Sequence, residues 1–162
     1  MKLPGAAAVA VAFWAAAAAA APAETFDPVA FFTGPTQGTG TLKEVFGKTK
    51  RTSTENVGRI DSDGSLVLDQ KVTIEGDPLR QRQWRLREIG PGRYRGTSND
   101  AKGPVEAQVT GRSIRIRYTM KDGIRVDQLL TALPGDRTID NKATFHKWGM
   151  KVATLTERIE KR

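Results

Sequence analysis

Over much of its length this chain returns to one pattern, an apolar residue at every second position broken at short intervals by turn-forming residues. Leu66, Leu68, Val72 and Ile74 fall on one face of an extended strand, with Val67, Asp69, Lys71 and Thr73 on the other. Val105, Ala107 and Val109 alternate with Glu106, Gln108 and Thr110. Ile114, Ile116, Tyr118 and Met120 alternate with Ser113, Arg115, Arg117 and Thr119. A period of two is the period of a pleated strand, and one dry face against one wet face is the mark of antiparallel sheet. Asp61-Ser62-Asp63-Gly64, Glu75-Gly76-Asp77-Pro78, Gly90-Pro91-Gly92, Lys121-Asp122-Gly123 and Pro134-Gly135-Asp136 separate the runs. Gly supplies positive φ at such places and Pro fixes the corner residue.

Helix has little room here. Asp27 to Phe32 opens with Asp-Pro, an N-cap followed by a first-turn Pro, and predicts one short helical turn carrying apolar residues into a core. Val126 to Leu133 reads as a strand, because β-branched residues precede it and Pro134 follows. About 8–10 short strands with no covering helix predict an all-β protein, a barrel or a sandwich. An antiparallel up-and-down barrel is the better choice. Closure removes sheet edges, no long crossover segment is present, and a barrel of this size holds one small ligand.

Met1 to Ala23 stands apart. Lys2 is its only charge, an Ala/Val/Phe/Trp run follows, and Ala21-Pro22-Ala23 supplies the small residues that a signal peptidase reads. We expect a secretory signal cleaved after Ala23, followed by one barrel domain over residues 24–162. A transmembrane anchor would need a longer and more strongly apolar run than this Ala-rich one. The chain has no Cys and a single His, which excludes disulfides, thiolate metal sites, Cys nucleophiles and multi-His clusters. An exported protein without disulfides fits a bacterial periplasm better than a small eukaryotic secretion.

Candidate site residues come from breaks in the apolar faces. In Arg80-Gln81-Arg82-Gln83-Trp84-Arg85-Leu86, Arg82 is in phase with Trp84 and Leu86, so a guanidinium follows them inward. It is either a clamp for the carboxylate or phosphate head of an amphipathic ligand, or an internal ion pair that closes the barrel. Gln70, Gln128 and Asn141 also interrupt apolar faces, and with Arg82 they line a wet cavity or satisfy one another. Trp84, Tyr118 and the other aromatics (Phe26, Phe31, Phe32, Tyr94, Phe145 and Trp148) read as core filling, some of it cavity wall. No catalytic residues, metal or cofactor are expected: His146 has no partner in sequence, and Ser98-Asn99-Asp100 lies in a turn without a nucleophile motif. Asp61 and Asp63 read as turn formers.

Lys and Arg exceed Asp and Glu by 26 to 18, a formal net charge of +8, and the arginines are spread over the predicted strands. Export makes nucleic acid an unsuitable partner and leaves anionic lipid, lipopolysaccharide or cell-wall polymer.

Four segments, taken together and in order, carry a family resemblance. They are Phe26-Asp27-Pro28-Val29-Ala30-Phe31-Phe32-Thr33-Gly34, Arg82-Gln83-Trp84-Arg85-Leu86, Gly92-Arg93-Tyr94-Arg95-Gly96-Thr97, and Asn141-Lys142-Ala143-Thr144-Phe145-His146-Lys147-Trp148-Gly149-Met150-Lys151-Val152. With them the chain resembles an uncharacterised family of proteobacterial envelope proteins, a domain of unknown function. The resemblance implies a lipocalin-like (calycin-type) barrel and an envelope location. It brings no catalytic residues, and since the lipobox Cys of many relatives has no counterpart here, it implies no lipid anchor. The combined expectation is a monomeric periplasmic barrel, not an enzyme, that binds a hydrophobic or amphipathic small molecule through Arg82, Trp84, Tyr118, Gln70, Gln128 and Asn141. The alternative is a module whose basic exterior docks on an anionic envelope surface.

Overall fold

The computed structural model describes residues 24–162. The predicted signal segment lies outside the described residues.

Ten antiparallel strands follow the one short helix α1 (Pro28–Phe32). They are β1 (Gly34–Glu44), β2 (Thr49–Ile60), β3 (Leu66–Ile74), β4 (Arg80–Gly90), β5 (Arg93–Ser98), β6 (Val105–Thr110), β7 (Ser113–Thr119), β8 (Arg125–Ala132), β9 (Thr138–Lys147) and β10 (Met150–Lys161). Each pairs with the next, and β1 pairs with β10 as well, which closes the barrel. The expected all-β up-and-down barrel and its N-terminal helical turn are both present. Val126 to Leu133 is strand β8 as far as Ala132.

Helix α1 plugs one end. Asp27 caps it, accepting from the Val29 and Ala30 amides at 2.9 and 3.0 Å. At its other end the Lys161 ammonium donates to the carbonyls of Ala30, Phe31 and Thr33 at 2.7 to 2.9 Å, satisfying acceptors that a helix end leaves open. The helix carries Phe31 and Phe32, with Phe26 just before it, into a cluster with Leu66, Val109, Ile114, Leu130, Ile139 and Ile159. Gly58 of β2 makes that approach possible, since a Cβ there would run into the Phe32 carbonyl. The opposite end, reached by the β1–β2, β3–β4, β5–β6, β7–β8 and β9–β10 turns, has no such plug among the described residues.

The inner face is apolar on one side and mixed on the other. Trp84, Val105, Tyr118, Met120 and Val126 form the apolar wall. The facing wall of β1, β2, β9 and β10 buries Thr36, Thr54, Asn56, Asn141 and Glu157. Two sequence expectations need correcting. Trp148 is not core: it is 85% exposed at the tip of the β9–β10 turn, where its φ of 51° belongs to a hairpin corner. Val67, assigned to the wet face, is only 2% exposed there, between its cross-strand partners Arg59 and Arg85. Arginine stems cover apolar surface while their heads stay in water, which is how an outward Val becomes dry.

Candidate functional site

Arg82 follows Trp84 and Leu86 inward, as the alternation requires, and its side chain is 14% exposed. It stands near the open end, with its Nε 2.8 Å from Asp100 Oδ2 in the β5–β6 loop. The two atoms lie off the hydrogen-bonding line. The contact is an ion pair, and neither buried atom has a hydrogen-bond partner among the described residues. A guanidinium has five donors, so one ion pair leaves most of its capacity unused.

Beside Arg82 the open end contains a cavity of about 460 Å³. Leu42, Ile74, Met120, Phe145 and Leu155 give it apolar walls, and Thr52, Arg82, Arg80, Glu44 and Asp77 supply polar groups. Thr52 Oγ1 is also buried without a hydrogen-bond partner. Three of the four such side-chain atoms among the described residues therefore belong to Thr52, Arg82 and Asp100, at this mouth. Buried polar atoms are nearly always paired, and here the exceptions lie together beside an apolar hollow.

The other candidate residues divide into two groups. Trp84 Nε1 donates to Gln70 Oε1 at 3.2 Å, Gln70 donates to Asn56 Oδ1 at 3.0 Å, and Asn56 donates to Thr36 Oγ1 at 3.0 Å. Tyr118 meets Trp84 edge-on with ring centroids 5.1 Å apart. Burial pushes the Tyr118 phenol above its ordinary pKa, the nearby Arg82 charge opposes this, and Asp100 adds to it. Arg82, Trp84, Tyr118 and Gln70 thus form one neighbourhood. Asn141 belongs elsewhere: its Nδ2 donates to Glu157 Oε2 at 2.9 Å, while Thr54 Oγ1 donates to Glu157 Oε1 at 2.6 Å. Gln128 is in phase with buried Val126 and Leu130, half-buried between its cross-strand partners Ile116 and Ala143. Leu68, Gln70, Leu86 and Ile116 face inward with partial exposure too, so the interior is not packed solid.

Sequence reasoning missed Asp100, Thr52, Thr54, Asn56 and Glu157. Glu157 did carry a signal, since it sits in phase between Leu155 and Ile159. It is 5% exposed, and no salt bridge reaches it among the described residues. Its room is made by Gly38, where a Cβ would strike both the Glu157 carboxylate and the Thr54 hydroxyl. His146 stays apart from this chemistry on β9, opposite Arg125 and Lys151. No group of three or more His, Cys, Asp or Glu residues able to hold a metal occurs among the described residues. Asp61 and Asp63 form the turn as expected and also clamp Arg85 at 2.6 and 2.8 Å.

Similarity to known proteins supports the fold. The family model described as "Protein of unknown function (DUF3833)" matches residues 8–161. No curated protein matches the sequence. An S-type phycobiliprotein lyase, CPES, from Guillardia theta superposes with a TM-score of 0.64 at 8% identity, over 83% of this chain and 89% of that one. A DUF3598-family protein of unknown function from Nostoc punctiforme also reaches 0.64, at 12% identity, over 89% of this chain but only 53% of its own length. At such identities the likeness is one of fold.

Proposed function

From a chain that belongs to the DUF3833 family, which supplies a barrel and no activity, we propose a non-enzymatic binding protein of lipocalin-like type. It takes a hydrophobic or amphipathic small molecule into the open end of the barrel. The observation that carries this is the mouth cavity itself, apolar in its walls and bordered by the under-satisfied polar atoms of Thr52 and Arg82, the latter ion-paired with Asp100. A cavity of this size suits a drug-sized or acyl-chain ligand. Arg82 is the head-group partner, and the Trp84–Gln70–Asn56 chain fixes the polar floor below it. That the lyase resembled in fold acts on a phycobiliprotein says nothing about the ligand here.

Titration with cis-parinaric acid, a fluorescent fatty acid, tests the reading. Saturable binding is expected, weakened about tenfold in Arg82→Gln/Asp100→Asn, which removes both charges and leaves neither one buried alone. Absence of saturable binding, or equal affinity in the double variant, overturns it.

We also propose that the protein is exported to a bacterial envelope compartment, with Glu24 as its first mature residue. N-terminal sequencing of the protein recovered from its cell should read Glu24-Thr25-Phe26; an intact Met1 start overturns export by this route. The alternative function, docking on an anionic surface, has only part of the barrel wall's charge to draw on. Arg51, Arg59, Arg85, Arg115 and Arg158 are tied to carboxylates, while the exposed Arg87, Arg93, Arg95 and Arg125 make no salt bridge among the described residues.

A further inference from the structure

The turns at the open end are where apolar side chains are most fully displayed. Phe46 in the β1–β2 turn is 100% exposed and Trp148 in the β9–β10 turn is 85% exposed. Val45, Leu79 and Met150 on the same turns or their edges are exposed as well. These turns are neighbours. Round the barrel the strands run β9, β10, β1, β2, β3, β4, so the three turns form one continuous arc. Hydrogen bonds join it: the Val45 amide donates to the Val152 carbonyl at 2.9 Å, and Lys50 Nζ donates to Asp77 Oδ1 at 3.0 Å.

The display runs against what folding alone would select. Both central residues of the β9–β10 turn have positive φ, 51° for Trp148 and 78° for Gly149. Such a corner ordinarily takes Asn-Gly, since bulky L-residues rarely adopt this backbone. Trp148 buries little in return for its placement; the Lys147 ammonium sits 5.2 Å from its ring. The unpaired charges of the arc share one sign. Lys48, Arg80, Lys147 and Lys151 make no salt bridge among the described residues, whereas Glu44 and Asp77 are both taken by Lys50. Exposed aromatics at loop tips, ringed by unpaired cations, match the headgroup region of a bilayer: ring faces enter the interface and ammonium groups meet anionic lipid.

We propose that this arc docks on an anionic lipid bilayer, inserting Phe46 and Trp148, so that the mouth of the barrel faces the membrane. The inference goes beyond the cavity reading and does not depend on it. Because the chain contains no Cys, Phe46→Cys gives a unique site for a nitrobenzoxadiazole dye, and Ile89→Cys, exposed near the end of β4 at the plugged end, gives a control. Vesicles of phosphatidylglycerol should raise and blue-shift the emission of the dye at position 46 several-fold and leave that at position 89 unchanged. Phosphatidylcholine vesicles should leave both unchanged. Adding Trp148→Asn and Lys147→Glu to the position-46 variant should abolish the response while parinaric acid titration without vesicles is unaltered. No response at position 46, equal responses at the two positions, an equal response to phosphatidylcholine, or a response that survives Trp148→Asn/Lys147→Glu overturns the proposal. The two readings fail separately, since one is measured without lipid and the other without parinaric acid.

Discussion

Glu157 presents its carboxyl group to two donors, Thr54 Oγ1 and Asn141 Nδ2, while Asn141 Oδ1 beside it has no hydrogen-bond partner. An amide in place of the carboxyl can still accept from Thr54. Its NH₂ can donate to Asn141 Oδ1 once the Asn141 amide turns over, an exchange of nearly isosteric ends. Glu157→Gln is therefore expected to be neutral or stabilising in thermal unfolding. Glu157→Leu should cost about 2–4 kcal/mol, because it leaves a buried hydroxyl and a buried amide unpaired. Gly38→Ala should behave like Glu157→Leu, since its Cβ would separate Glu157 from Thr54. A Glu157→Gln protein as unstable as Glu157→Leu would show that the charge itself holds this wall.

Helix α1 is too short to be stable alone, five residues where isolated helices need roughly 12 or more. It persists because the barrel end buries its two Phe side chains and Lys161 gathers its last carbonyls. Lys161→Met keeps the aliphatic stem and removes only the donors, so it should cost about 1–3 kcal/mol. Hydrogen exchange should locate the loss at Phe31 to Thr33, leaving β6 and β7 protected. Gly58→Ala should displace the helix outright, through backbone that has nowhere to go. The β9–β10 hairpin gives the opposite expectation. Trp148→Asn places a residue suited to positive φ at an exposed corner, so unfolding should move to equal or higher temperature. A fall would mean that Trp148 packs on more than Lys147.

For the molecule as a whole, pairing sets how stability follows pH. Arg85 holds the Asp61 and Asp63 carboxyls below the usual carboxylate range, Arg115 does so for Asp127, and Arg158 for Asp140. A carboxyl whose pKa is lower folded than unfolded stabilises the fold above its unfolded value, about 4, and the contribution disappears as pH falls through the folded value. Tyr118, raised by burial, works in the other direction: its contribution is complete below about pH 10 and is lost as pH climbs above it. Thermal midpoints should form a plateau from about pH 5 to 9, falling on either side. The acid limb should be shallow and flattened by salt, because these ion pairs are exposed.

How much of this was readable beforehand depends on whether the governing interaction is local. Alternation of side chains is a property of each strand, so the runs from Leu66 to Ile74 and from Ser113 to Met120 announced sheet, and Asp27-Pro28 announced the helical turn. Arg82 was legible as inward for the same reason, being two residues from Trp84. Its partner was not, since Asp100 arrives from the loop that follows the neighbouring strand β5. Trp148 was misplaced because an aromatic beside Phe145 suggests core, while a two-residue hairpin puts it at a corner. By itself the sequence determined the period-two elements, their turns and which side chains share a face. Only the closed tertiary structure decided that Thr54 and Glu157 meet across Gly38, and that Phe46, Leu79 and Trp148 share one rim. The physical reason is that these contacts join residues far apart in the chain, and they exist only when β1 pairs with β10 and the ring is complete.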